Sequence, residues 1–411
     1  MLKIGILTFS RVANFGANLQ GFSTYCYLKK QGFSPIFIDW EPEDFRKSQL
    51  DAYKTTQGKA HFDFFDQYCL KTKQCLNEDD IVKVIEEENI QGIIVGSDAV
   101  LQHHPLLTRI IFPTKKILCI PKISSTRMFP NPFWGTFYPK LKRKIPLVIF
   151  SASSQNSAYT FFSRKTKREM WNCLKSFKYI STRDNWTKEM IKKISYNTIN
   201  PTITPDPVFA FNYNATEYIP TKQEITTKYN LPEKYLLISF LRNNIVSLEW
   251  LHQLKEEAKK NNIQCIALPM PNGVTFDHNF EYEIPTPLSP LDWYALIKYS
   301  YGYIGQNMHP IVVALHNGVP VFSFDSYGTT KLLRTVSINQ SSKIYHILKH
   351  FHNENSRVAI NTRFYKIPSA KSVIEKIQTF DTISEKEIAS QLLEEYKLSM
   401  QQICDIFRHY N

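Results

Sequence analysis

At 411 residues, 43% hydrophobic and 21% charged, the chain has no bias toward disorder and exceeds what one hydrophobic core usually organises, so two domains of ordinary size are expected. Seven cysteines without C-x-x-C spacing argue against a disulfide framework and a zinc site and fit a reducing cytoplasm. The net charge of +13 points to anionic partners: between Ala99 and Arg168 stand thirteen Lys and Arg and no Asp or Glu.

The first run, KIGILTF (3–9), is strand-like; it lacks the basic flank and small-residue cleavage site of a signal peptide, and no later apolar run reaches the roughly 18–20 residues of a membrane span. SPIFIDW (34–40), GIIVGS (92–97), PLVIFSAS (146–153) and YISTRD (179–184) are further candidate strands. NLQGFSTYCYLKKQG and REMWNCLKSF, between them, carry apolar residues at i, i+3 and i+4, so parallel βαβ units and a doubly wound sheet are expected. Residues 126–144, TRMFPNPFWGTFYPKLKRK, interleave aromatics and prolines with Lys140, Lys142, Arg143 and Lys144 and read as a loop. Three uses fit it: a peripheral membrane contact, a lip for an anionic substrate, or a solvated basic loop with packed aromatics. Nucleic acid is not expected as a partner, because no zinc-finger, helix-turn-helix or RNA-recognition signature is present.

TITPDPVFAFNY (202–213) suits a linker, after which the alternation restarts. YLLISFLR (235–242), QCIALPM (264–270), YGYIGQ (301–306) and PVFSFD (320–325) are strand-like, with helices near 247–261, 290–300 and after His309. Past about residue 370 the pattern is amphipathic helix. The expected organisation is an N-terminal α/β domain over 1–205, a second over 206–370, and helices over 371–411 packing back on both.

In open α/β sheets ligands bind beyond the carboxyl ends of the strands, and four such places carry polar residues. After the first strand, FSRVANFGANLQ offers Asn14, Gly16 and Gln20, where a helix start could hold an anion or a sugar hydroxyl; it is not G-x-G-x-x-G, so a dinucleotide cofactor is not expected. GSDAV places Ser97 and Asp98 at a strand end, where Asp98 could bind a sugar hydroxyl, act as a base or cap a helix. STRD sets Arg183 past a strand, suited to a carboxylate or phosphate or to a structural pair with an aspartate. In YIGQNMHP, proline favours the first helical turn, which sets His309 near a helix start; there the macrodipole lowers an imidazole's pKa and favours a bound anion. His316, two turns on, reads as packing or as a hydrogen-bond support.

Taken together, KIGILTF…NFGANLQ, GIIVGSDAV, SAS, ISTRD, DPVF and YIGQNMHPIVVALHNGVPVFSFD resemble the polysaccharide pyruvyl transferase family over roughly residues 3–330. The resemblance implies two Rossmann-like lobes similar to GT-B glycosyltransferases, with a central interdomain cleft. It implies transfer of the enolpyruvyl unit of phosphoenolpyruvate to a sugar on a lipid-linked or polymeric cell-surface glycan, usually as a cyclic ketal, with no cofactor or metal. His309 would be the catalytic acid and Asp98 a base, with Asn14, Gly16, Gln20 and Ser97 on the acceptor side. Many members carry Arg two residues before the histidine, where this chain has Asn307. The donor's carboxylate and phosphate need cations, so Arg183, which matches the family's strand-end arginine, Arg242 and Lys331 join Asn307 as donor-side candidates. A polyprenyl-diphosphate-linked acceptor would place the protein in the cytoplasm at the inner face of the membrane. Two rivals stand beside this reading: a GT-B glycosyltransferase using a nucleotide sugar, and a non-catalytic module binding anionic glycans or membranes.

Overall fold

The computed structural model describes residues 1–109, 120–241, 245–331, 334–336, 341–360 and 365–410. Six parallel strands form the first sheet: β1 (Lys3–Leu7), β2 (Ser34–Phe37), β3 (Gly92–Val95), β4 (Leu147–Ala152), β5 (Tyr179–Thr182) and β6 (Thr202–Ile203), in the order β2-β1-β3-β4-β5-β6. The second sheet contains β7 (Tyr235–Ser239), β8 (Gln264–Ala267), β9 (Tyr282–Glu283), β10 (Gly302–Gly305) and β11 (Val321–Asp325). A hairpin of β12 (Thr329–Lys331) and β13 (Arg334–Val336) follows. Then β14 (Arg357–Ala359) completes the parallel order β14-β11-β10-β7-β8-β9. The molecule is an α/β protein of two parallel-sheet lobes.

Both sheets are covered on both faces, which is why their strands read as continuous Ile, Leu and Val runs. Side chains still alternate: Val148 and Phe150 enter a core shared by the two lobes, whereas Leu147 and Ile149 enter an outer core of the first lobe. In β7, Leu237 joins the shared core while Leu236 and Ile238 enter an outer core of the second lobe. The helix Phe15–Lys30 is buried from Phe15 to Leu28 because its own sheet covers one side and the second lobe the other. The Phe15 ring stacks on Trp293, with centroids 4.9 Å apart. A final helix, Thr382–His409, crosses both lobes: Tyr396 accepts from the Asn214 amide at 2.9 Å and packs on Tyr27 and Phe150.

Most strands stop one to three residues earlier than the apolar runs do. Their last residues peel off to bind neighbouring loops, as when the Thr8 hydroxyl donates to the Ser97 carbonyl at 2.9 Å. The stretch 202–213 is not a solvated linker: Thr202–Ile203 is the edge strand β6, and Val208 to Phe211 are buried in the shared core. Residues 126–144 form short 3-10 turns whose Phe133, Trp134, Phe137 and Leu141 are buried. Lys140 pairs with Glu78 and Asp79, Lys142 pairs with Glu86, and Lys144 donates to three carbonyls of its own loop. Phe133, Trp134 and Phe137 are therefore unavailable to a membrane surface, whereas Phe129 and Tyr138 are partly exposed. Among the described residues no helix is long and apolar enough to cross a membrane.

Candidate active site

A cleft of about 370 Å³ opens between the lobes, walled by residues that follow the carboxyl ends of strands from both sheets. Asn14, Phe15 and Gly16 follow β1, Asp98 and Gln102 follow β3, and Gln155 follows β4. From the second lobe come Met270 after β8, Asn307 and His309 after β10, and Tyr327 after β11.

His309 lies in the first turn of the helix Met308–His316, whose N-cap is Asn307. Its ring rests against Gly16, in the first turn of the helix opposite: a Cβ at Gly16 would meet the imidazole Cγ and Nδ1 at 2.0 Å. Glycine is needed there because only a hydrogen fits beside the ring. The Nε2 atom is buried, 3.8 Å from Asp206 Oδ2, and has no hydrogen-bond partner among the described residues. Burial lowers the imidazole pKa to about 4, against the pull of the Asp206 and Asp98 carboxylates, which favour the charged ring. The ring is neutral at pH 7.

Behind it runs a chain of charges. Arg183, 6% exposed, donates through Nη1 to Asp206 Oδ2 at 2.8 Å and through Nη2 to Asp98 Oδ1 at 3.5 Å. The guanidinium lies between two carboxylates and does not wall the cleft. Asp206 also accepts from the Val208 amide at 3.0 Å, so it caps the turn Pro207–Ala210 while facing His309. Asp98 has φ of 77°, a strained value for a residue with a Cβ; its carbonyl is anchored by the Ser153 amide at 2.8 Å. Burial raises its pKa, but Arg183, then His309 and Lys343, overcome this and the net shift is downward. An ionised, stabilised carboxylate is a weak base and a good acceptor for a sugar hydroxyl.

The structure brings Asn14, Gly16, Asp98, Asn307 and His309 together on the cleft wall. Asn14 caps the Ala17 amide at 3.1 Å. Asn307 leaves its helix without a side-chain cap and donates to the Met270 sulfur at 3.5 Å. Two residues expected on the acceptor side lie beneath the floor: Gln20, fully buried, donates to Thr8 Oγ1 at 3.0 Å, and the Ser97 hydroxyl donates to the Ser151 carbonyl at 2.8 Å. Neither walls the cleft, because each faces the sheet it must hold together. Arg242 and the side chain of Lys331 lie outside the described residues. His316 is buried away from the cleft, with its Nε2 2.8 Å from the Tyr294 hydroxyl.

Sequence reasoning overlooked Asp206 and Lys343. Asp206 stands in DPVF, where Asp before Pro reads as a cap, and only the fold turns its second oxygen toward His309. Lys343 opens the helix Lys343–His350, far from any strand-end motif, yet walls the cleft. Among the described residues no cluster of His, Cys, Asp and Glu could hold a metal ion.

Two parallel six-stranded sheets facing one cleft define a GT-B-like fold. The family model for polysaccharide pyruvyl transferase matches residues 14–327, most of the chain, and the protein belongs to that family. No curated protein sequence matches significantly. Among solved structures the fold is similar to S. aureus MnaA with UDP (12% identity, 100% of this chain and 97% of that one, TM-score 0.51). It is similar to UDP-GlcNAc 2-epimerase from Neisseria meningitidis bound to UDP-GlcNAc (12% identity, 98% and 100%, TM-score 0.51). A ugt transferase from Siraitia grosvenorii in complex with UDP is a third (8% identity, 99% and 100%, TM-score 0.50). Likeness at such identity concerns the fold, and the nucleotide-sugar alternative is supported at that level alone.

Proposed function

We propose that this protein transfers the enolpyruvyl unit of phosphoenolpyruvate to a saccharide acceptor, forming a pyruvate ketal and releasing inorganic phosphate. The observation that carries the reading is His309: a buried imidazole with an unpartnered Nε2 in the first turn of a helix on the cleft wall, in a chain of this family. The reaction needs a proton delivered to the donor's methylene carbon; a sugar hydroxyl then adds to the adjacent carbon, and a second hydroxyl displaces phosphate. The two hydroxyl protons balance the one gained by the methyl group and the one leaving on phosphate.

A donor bearing carboxylate and phosphate charge reverses the energetics of the empty cleft. Its anionic groups beside His309, added to Asp206 and Asp98, favour the imidazolium, so donor binding charges the acid that the reaction uses. Asp98 orients an acceptor hydroxyl by accepting its hydrogen bond. The first lobe suits an anionic acceptor such as a lipid diphosphate: residues 1–205 hold 30 Lys and Arg against 17 Asp and Glu, whereas 206–411 hold 20 of each, so the whole excess lies on the acceptor side.

Incubation with labelled phosphoenolpyruvate and a panel of lipid-linked saccharides is expected to move label to the acceptor with release of phosphate. His309→Gln is expected to lower turnover by about 10²–10⁴, the range for a positioned proton donor. Release of a nucleoside diphosphate from a nucleotide sugar, with phosphoenolpyruvate inert, would establish the glycosyltransferase alternative instead.

A further inference from the structure

Asn307 stands where an arginine is common in the family, and Arg183 is consumed by Asp98 and Asp206. The cleft wall holds two cations among the described residues, Arg127 from the first lobe and Lys343 from the second. Arg127 is exposed on the turn Ser125–Arg127, whereas Lys343 is half-buried and next to the imidazole's surroundings.

The local structure fixes the helix start that Lys343 occupies. Asp325, fully buried at the end of β11, accepts from the Ser342 hydroxyl and from Arg357. The Ser342 oxygen accepts in turn from the Tyr345 amide at 3.1 Å and so caps the helix that Lys343 opens. The ammonium lies 4.5 Å from the Tyr327 ring centroid, with no ion pair among the described residues.

Helix starts carry positive dipole ends, and the first turn of Lys343–His350, like that of Arg164–Leu174, has no acidic residue to offset them. An ammonium that has the Tyr327 ring but no carboxylate partner among the described residues adds to that dipole and raises the positive potential of the cleft. The Lys343 charge also reaches His309 and Asp98, disfavouring the imidazolium and helping to hold the carboxylate ionised.

We propose that Lys343 is the donor-binding cation of this protein, holding an anionic group of the donor beside His309 and taking the place that an arginine at 307 would fill. The inference rests on the pyruvyl-transfer reading for the identity of the donor but not for the existence of the anion site. Lysine is a compact point charge on a flexible stem, so the site grips one anionic group without the bidentate geometry of arginine.

The test is titration calorimetry of wild type, Lys343→Met, Lys343→Arg and the double variant Asn307→Arg/Lys343→Met, with phosphoenolpyruvate and separately with inorganic phosphate. Lys343→Met is expected to weaken phosphoenolpyruvate binding by about tenfold or more, the usual consequence of losing a charged hydrogen bond. Lys343→Arg is expected to retain most of the affinity, and Asn307→Arg to restore binding in the Lys343→Met background. Phosphate binding that depends on Lys343 would support the site even if phosphoenolpyruvate proved inert, an outcome that would count against the donor assignment alone. Equal affinity of wild type and Lys343→Met for both anions, or no anion binding by wild type, would overturn the proposal.

Discussion

At the scale of single residues, the site is built on one close approach. The ring of His309 occupies the volume that a side chain at position 16 would need. Alanine is the better helix former by about 1 kcal/mol, so Gly16→Ala should leave the helix Phe15–Lys30 intact or slightly stabilised while pushing the imidazole out of place. The expected outcome is a loss of turnover comparable to that of His309→Gln, with an unchanged circular dichroism spectrum and a stability lowered by no more than about 1–3 kcal/mol, the usual cost of overpacking. Turnover near wild type would mean that His309 does not act from the position seen here. Gly16 and His309 were both legible in the sequence as strand-end residues, but their contact was not, because 293 residues separate them and no local pattern encodes a meeting of two helix starts. Arg183 was legible as a cation, but its partners were not: the two aspartates come from other strand ends, Asp98 after β3 and Asp206 after β6.

At the scale of elements, the lobes are joined by side chains that complete each other's backbone. Gln57, on the first lobe's helix Thr56–Tyr68, accepts from the Leu288 amide at 2.7 Å and donates to the Leu288 carbonyl at 2.9 Å. Close by, His61 lies between Asn18 Oδ1 at 2.6 Å and the Pro271 carbonyl at 2.9 Å, linking the start of the helix after β1 to the second lobe. The Asn18 amide donates to the Ser10 and Val12 carbonyls, so the same junction shapes the cleft wall. Gln57→Ala leaves two buried backbone groups unpaired at about 1–3 kcal/mol each, and a marked fall in the urea midpoint is expected. A midpoint equal to wild type would show that water fills the gap and that the junction contributes little. The principal strands were readable from apolar runs because buried parallel strands leave that signature. The helices Glu43–Lys54, Thr56–Tyr68 and Glu78–Glu87 and the edge strands β6, β9 and β14 were not assigned, and edge strands of two or three residues are too short to show a period.

At the scale of the whole molecule, burial of neutral imidazoles couples stability to pH. Burial lowers the pKa of His61, His103, His104, His309 and His346 to about 4 and that of His316 to about 3, against an ordinary 6.5. Between pH 6.5 and 4 the unfolded chain binds protons that the folded chain refuses, so stability falls as pH falls, by up to about 1.4 kcal/mol per pH unit for each histidine. Glu385 opposes this: burial raises its pKa to about 8, so its folded form keeps a proton that the unfolded chain releases above about 4.5, and its contribution is lost as pH rises. His350 is shifted down by burial like the six, and Asp39 is shifted up by burial like Glu385, so the histidines outnumber the opposing carboxyls and the melting temperature is expected to drop from pH 7 to pH 5. In the proposed reaction His309 differs from the other histidines, because its proton is used once the donor binds. An anion beside it raises its pKa in the complex, so donor binding takes up a proton and tightens as pH falls from 8 to 6.5, above the phosphate's own second pKa of about 6. The shift in melting temperature produced by a fixed excess of phosphoenolpyruvate should therefore grow over that interval and lose its pH dependence in His309→Gln. A shift that is flat with pH in the wild type would mean that the imidazole stays neutral in the complex, and the proton for the methylene carbon would have to come from another group.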